Sequence, residues 1–263
     1  RYRVITVFVD QFSDLSFVYT QKSTTAEETV QAKEAFERYA KSHQVSIKHY
    51  HADNGIFAEA EFIRSVEKGN QTISFCGVNA HHMNGHAEKR IRDLQENARA
   101  MLLHAKRRWP SAVTANLWPY AVRMANDIHN FAPSIREGLS PIERFSQVQV
   151  SPRVRHSHAF ACPVYTLDGN LQAGKRIPKW NDRSRIGLFL GWSPRHSRKV
   201  ALVLNLITGH VSPQFHVEFD DLFETMRPSA GNHPPQSLWQ QKAGFLDVEK
   251  DPKAAHQAAV QAN

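Results

Sequence analysis

His51-Ala52-Asp53-Asn54-Gly55 closes a run, Val45 to Tyr50, that reads as a β-strand. After 34 intervening residues Glu88 follows Asp53, within Asn84-Gly85-His86-Ala87-Glu88, which opens a strongly amphipathic helical pattern. The two stretches put one carboxylate at a strand end and a second in the first turns of a long helix. Gly55 lets the backbone turn sharply after Asp53. Taken singly, each signature is ordinary. Asp-Asn-Gly is a common turn, and a lone helical Glu usually faces water. Two carboxylates on rigid elements of a basic chain suggest a divalent metal site that works on phosphodiesters. Mg²⁺ takes hard oxygen ligands, and two such ions can serve the attacking and leaving oxygens of an in-line displacement.

Working outward, Tyr2 to Asp10 is β-branched and alternating, and Leu15 to Gln21 pairs with it through a polar turn. Thr25-Ala26-Glu27-Glu28 has the form of a capping box. It predicts a helix to about Lys41, with Val30, Phe36, Tyr39 and Ala40 on the apolar side. A short helix over 59–67 and a strand over 72–75 follow. The long helix spans about 85–107, with Ala87, Ile91, Leu94, Ala98, Met101/Leu102 and Ala105 as a buried stripe. Glu88 sits at the edge of that stripe and Arg92 on the same side. Lys89, Arg90, Arg99 and Lys106 read as a solvated face. His81 and His82 read as polar loop residues; no pair of cysteines is spaced to make them zinc ligands. After Trp109-Pro110, residues 114–131 are helical, and Ser140-Pro141 caps a final short helix.

Strands and helices alternate in an α/β order up to this point. From about residue 151 short β-rich runs replace it: 163–167, 184–192, 199–207 and 210–219, with Thr208-Gly209 as a hairpin turn. They predict a small β-barrel or meander. The expected organisation is a core over 1–110, a helical extension over 111–150, a basic β-domain over 151–227 and a loose tail over 228–263.

At 263 residues and 41% hydrophobic, with mean hydropathy −0.50, the chain can bury a core. No run of 18 apolar residues suggests a membrane span. Cys76 and Cys162 are too few and too distant for a disulfide framework, which points to a reducing, intracellular compartment. Net charge is +8, and the excess is regional. Residues 151–200 hold ten Lys/Arg against two Asp/Glu, whereas 213–263 hold seven acids against four bases. A surface that tracks a phosphate backbone has this uneven distribution, although a solvated basic face has it too.

The segment Asn84-Gly85-His86-Ala87-Glu88-Lys89-Arg90-Ile91-Arg92 resembles the helix motif of copia-type retrotransposon integrases, within the retroviral-type DDE integrases. The match continues through Ala98-Arg99-Ala100-Met101-Leu102, Leu117-Trp118-Pro119-Tyr120-Ala121, Asn130 and Ser140-Pro141-Ile142-Glu143. Gly187-Leu188-Phe189-Leu190-Gly191-Trp192 and Phe215-His216-Val217-Glu218-Phe219-Asp220 resemble that family's C-terminal segment. The likeness covers roughly residues 1–226. The spacing from Asp53 to Glu88 is one residue shorter than the family's usual one.

The resemblance implies an RNase H-like core that processes donor DNA ends and transfers them to target DNA. Asp53 and Glu88 would be the catalytic metal ligands for Mg²⁺ or Mn²⁺, two ions in the intact enzyme. Arg92 and Lys89 would contact DNA, as would Lys175, Arg176 and Arg183 of the basic region. The family's first catalytic Asp is expected ahead of residue 1, which would leave this chain inactive alone and its sheet exposed on one side. Asp10, near the end of the first strand, is expected to serve the turn rather than the metal. The resemblance further implies a homo-oligomer, a polyprotein origin, and a nuclear or virus-like-particle setting for the intact element. The rival reading is a non-catalytic nucleic-acid-binding relic or a domesticated module of the same fold.

Overall fold

The structure is a computed structural model that describes residues 2–77, 84–135, 138–150, 157–197 and 199–226. His81, His82 and the tail over 228–263 lie outside the described residues. The chain is mixed α/β and divides into two compact units built from discontinuous segments. The first comprises Arg1–Arg99 and Val122–Ser157, the second Ala100–Ala121 and His158–Asn263. The cuts at 99 and 121 fall inside helices. Among the described residues no helix is long and apolar enough to cross a membrane.

In the first unit β1 (Val4–Val9) and β2 (Ser16–Gln21) form an antiparallel hairpin. Helix α1 (Ala26–Ser42) leads to β3 (His49–Ala52), which starts later than the predicted strand. Helix α2 (Ala60–Lys68) then crosses over to β4 (Thr72–Phe75), parallel to β3. Phe8, Leu15, Phe36, Tyr50, Phe62 and Val66 build the core, with Ile142 and Phe145 of α5 (Pro141–Ser146). Phe8 stacks on Phe36 at 4.9 Å between ring centroids, within the range in which aromatic pairs attract.

Two helix starts differ in an instructive way. Ser140 and Glu143 form a full capping box at α5. At α1 only half of the expected box forms. Thr25 accepts from the Glu28 N–H, but Glu28 turns its carboxylate to the backbone N–H groups of Lys22 (2.7 Å) and Ser23 (3.3 Å). The chain ahead of Thr25 bends back, so the nearest orphan donors are those of the approach rather than of the cap.

The expected sheet with one exposed side is not what forms. β1–β2 and β3–β4 are separate two-stranded sheets. The Asp10 N–H donates to the Leu15 carbonyl at 2.8 Å, and Phe8 is registered on Phe17. Antiparallel partners exchange both bonds at alternate residues, so Ile5, Val7 and Val9 turn their backbone groups to the edge away from β2. In the other pair, the Thr72 N–H donates to Lys48 and the Cys76 N–H to Ala52. The same alternation leaves the N–H and C=O of His49 and His51 on the edge away from β4. Val7, Val9, His49 and His51 all line one cleft of about 620 Å³, together with the core residues Phe8, Phe36, Tyr50 and Phe62. Two strand edges without a partner strand among the described residues therefore border a single apolar-floored cleft.

Helix α3 (Gly85–Arg108) and helix α4 (Trp118–Phe131) follow. Leu94, Ala98 and Ala105 are buried, as the stripe requires. In the second unit, β5 (Pro163–Leu167), β6 (Ser184–Trp192), β7 (Ala201–Asn205), β8 (Val211–Gln214) and β9 (Val217–Phe219) make one antiparallel sheet. Its order is β8-β7-β6-β5-β9. A short helix α6 (Gly169–Gln172) interrupts the β5–β6 connection.

Gln214 and Val217 lie on opposite edge strands, yet three residues span at most about 11 Å. The outer strands of a flat five-stranded sheet stand roughly 19 Å apart. The sheet must therefore curl, although β8 and β9 do not pair with each other among the described residues. Gly191, at φ +103, occupies the register shift between Phe189 and Trp192, a backbone conformation only glycine adopts without strain. Asn205 also shapes the β7–β8 turn. Its Oδ1 accepts from the N–H groups of Ile207 and Thr208 at 2.9 and 3.1 Å, an Asx turn that supports the Thr208-Gly209 signal.

Candidate active site

Asp53 is the first residue after β3, and its carboxylate is exposed. The Gly55 N–H approaches its Oδ1 at a long 3.4 Å. Glu88 lies in the first turn of α3 and is exposed as well. Neither carboxylate is in an ion pair among the described residues. Their immediate neighbours Ala52 and Ala87 both line the cleft between β1 and β3, with Asn84 and His86. Asp53 and Glu88 themselves are not among the residues that line it. On β3 the burial alternates, with Tyr50 and Ala52 inward. His49 and His51 face the exposed side and pair with β4 hydroxyls, His49 with Thr72 (2.7 Å) and His51 with Ser74 (2.9 Å).

Asp10 also lines the cleft, but its carboxylate is occupied in the turn. Oδ2 accepts from the Ser13 N–H at 2.8 Å and from the Ser13 hydroxyl at 2.6 Å. Asp53 and Glu88 match Mg²⁺ in donor chemistry, since carboxylate oxygens are hard ligands. In number they fall short. No group of three His, Cys, Asp or Glu side chains among the described residues is gathered so as to hold a metal ion. The described residues alone do not make a two-ion site.

The cluster that fixes the start of α3 was not legible in the sequence. Arg90, expected on a solvated face, is nearly buried, with 12% of its side chain exposed. Its Nη2 donates to both Asp14 carboxylate oxygens, at 2.8 and 2.7 Å. His86 Nε2 meets the same carboxylate at 2.8 Å. His129 on α4 adds two bonds: Nε2 with the Asp14 carbonyl at 2.8 Å, and Nδ1 with Arg90 Nη1 at 3.1 Å. Burial lowers the His129 pKa, and the Arg90 charge adds to this while the Asp14 hydrogen bond opposes it. A neutral imidazole then donates through Nε2 and accepts through Nδ1, which satisfies both bonds.

For Asp14, burial favours the neutral acid. The hydrogen bonds from Arg90 and His86, with the charge of Arg90, outweigh it and hold the carboxyl below its usual range. Asp14 itself takes φ +62, a left-handed conformation that Asp tolerates better than most residues. His86 and Arg90 flank Glu88 by two residues on either side, about 200° round the helix. The cluster thus pins one face of the first turns to the β1–β2 turn and leaves Glu88 on the other.

Lys89 and Arg92 are exposed on α3 in the first unit. Lys175, Arg176 and Arg183 are exposed in the second unit, between α6 and the start of β6.

No family model matches the chain. Among solved structures, the HTLV-2 integrase catalytic core domain in complex with magnesium is similar in its trimeric form at 20% identity, over 54% of this chain and 83% of that one, with a TM-score of 0.42. The dimeric form of that domain gives 21% identity, the same coverages and a TM-score of 0.40. Similarity at this level assigns neither a family nor a function.

Proposed function

We propose that the chain carries the core of a copia-type integrase, a polynucleotidyl transferase that in its active form trims donor DNA ends and joins them to target DNA. One observation carries the reading: the residues next to Asp53 and Glu88 line a single cleft that is bordered by two strand edges without a partner strand among the described residues. The cleft suits one further β-strand, which would join β1 to β3 and complete a five-stranded sheet. A carboxylate on that strand would supply the ligand that Asp53 and Glu88 lack. With it, these residues would hold Mg²⁺ or Mn²⁺, two ions in the intact enzyme, and the bound metal would stabilise the attacking and leaving oxygens. Arg92 and Lys89, exposed on the helix that bears Glu88, would meet the DNA backbone. The rival reading, a non-catalytic nucleic-acid-binding module, is favoured by the absence of a three-ligand cluster among the described residues.

An end-joining assay in Mg²⁺ or Mn²⁺ separates the two. The 263-residue chain is expected to bind DNA but not to nick or join it above background. The same chain with an alternating, Asp-bearing strand joined ahead of Arg1 is expected to gain joining, and Glu88→Gln should abolish it without unfolding the protein. Robust joining by the unextended chain would make Asp10 the leading third ligand. Inactivity of every Asp-bearing extension would favour the non-catalytic module.

Duplex binding is expected to be salt-sensitive and weakly sequence-dependent. Reversing charge at Lys175, Arg176 and Arg183 should reduce the slope of log affinity against log salt by about one for each phosphate left unneutralised. Titration of a fluorescent duplex at several salt concentrations measures it. An unchanged slope would mean that these cations only solvate the surface.

A further inference from the structure

Trp180 is 90% exposed. It sits in the turn Pro178-Lys179-Trp180-Asn181, where the Asn181 N–H donates to the Pro178 carbonyl at 3.1 Å. The loop that carries it is fastened at its base. The Asp168 N–H donates to the Arg183 carbonyl at 2.8 Å, Gln172 Nε2 to the Leu167 carbonyl at 2.8 Å, and the Lys175 N–H to the Asn170 carbonyl at 2.8 Å. The indole is thus held out on an anchored loop. Its surroundings are cationic. Residues 175–185 contain Lys175, Arg176, Lys179, Arg183 and Arg185 against the single acid Asp182. All five cations are exposed, and none is in an ion pair among the described residues. Lys179 Nζ stands 5.3 Å from the Trp180 ring centroid, beside the π face.

An indole left bare is costly to hydrate, and its flat face is the part a partner could use. A protein partner would be expected to offer acids to these five cations. A duplex would offer phosphates but no free base face, because its bases are already stacked. A single strand offers both: phosphates for the cations and unpaired bases for the ring. Base–aromatic stacking beside a basic groove is how sequence-tolerant single-strand binders work.

We infer that the 175–185 loop is a single-strand nucleic-acid site, with Trp180 stacking on an unpaired base and the flanking cations meeting its phosphates. The site rests on the nucleic-acid part of the function proposed above and not on its catalysis. In an end-joining protein it suits the unpaired end exposed by trimming.

Fluorescence anisotropy on the full chain tests it, with a labelled dT oligomer, an rU oligomer and a blunt duplex as probes. Trp180→Ala is expected to weaken single-strand binding roughly tenfold, and to change duplex affinity by less than about twofold. Trp180→Phe should recover most of the loss, because a ring remains. The stronger of the dT and rU responses identifies DNA or RNA as the strand. Circular dichroism should be unchanged, since the indole is almost fully exposed. Single-strand affinity unaltered by Trp180→Ala would overturn the inference while leaving duplex binding by Lys175, Arg176 and Arg183 intact; affinity lost equally on single strand and duplex would overturn it as well. So would Trp180-dependent binding to phosphatidylserine vesicles with none to oligomers. If no nucleic acid binds at all, the broader function fails with it.

Discussion

Replacing Asn130 should cost the first unit more than any surface change. Asn130 is 3% exposed and grips the backbone of β2 with both ends of its amide. Oδ1 accepts from the Ser16 N–H at 2.9 Å, and Nδ2 donates to the Ser16 carbonyl at 2.7 Å. One turn earlier on α4, Asn126 Oδ1 accepts from the Ser16 hydroxyl at 2.7 Å. Asn130→Leu keeps the bulk but strands two buried backbone groups, at about 2–5 kcal/mol together. Asn130→Asp keeps the acceptor, loses the donor and buries a charge against a carbonyl, so it should cost at least as much at neutral pH. The introduced acid regains a donor only when protonated. Its folded-state pKa is therefore raised, and its deficit should narrow as pH falls. Urea unfolding of the three proteins at two pH values reads this out. A loss below about 1 kcal/mol for Asn130→Leu would mean that water replaces the clamp.

Removing the Glu37 carboxylate is expected to be nearly as damaging. Lys33 is 2% exposed in the core, with its Nζ 2.9 Å from Glu37 Oε1 and 3.2 Å from the Ser65 carbonyl. Glu37 also accepts from Tyr50 (2.8 Å) and Gln71 (2.6 Å). Glu37→Ala leaves a buried ammonium with one carbonyl and the face of the Tyr50 ring, at a cost of about 3 kcal/mol or more. Lys33→Met with Glu37→Leu should recover most of that, because apolar pairs of similar volume often replace buried ion pairs at little cost.

The pH dependence follows from the carboxyl. Burial alone would raise its pKa, but the hydrogen bonds from Lys33, Gln71 and Tyr50 outweigh it and hold it below 4.5. A depressed folded-state pKa gives stability that is fully present above the unfolded value and lost as pH falls through the folded one. The gap between wild type and Glu37→Ala should accordingly close in acid, below pH 4.5. A gap that stays constant from neutral pH into acid would show that the loss is packing and not charge.

These two networks mark the limit of what the chain discloses by pattern. Alternation in 2–10 and 15–21, the caps at Thr25 and Ser140, and the stripe from Ala87 to Ala105 are local signals, and each produced its element. Lys33 sits at a helical spacing that reads as apolar only if its charge is ignored; the groups that make its burial tolerable come from α1, α2 and β3. Arg90 reads as one of several basic residues on a helix, because Asp14 and His129 are remote in sequence. The helix motif drew attention to Glu88, while the cluster that orients it lay on residues without a motif. The split of the sheet was equally hidden. Strand periodicity says which residues alternate, not whether the edges of two strands meet.

Mn²⁺ titration of the ¹⁵N-labelled chain tests the central claim most directly. Mn²⁺ occupies Mg²⁺-type oxygen sites, and its unpaired electrons broaden nearby amide signals. Weak binding of one ion is expected, with broadening centred on Ala52 to Gly55 and on His86 to Arg90, competed by Mg²⁺ and lost in both Asp53→Asn and Glu88→Gln. Broadening centred elsewhere, or broadening around Asp53 that survives Glu88→Gln, would contradict the assignment of the two carboxylates to one metal site.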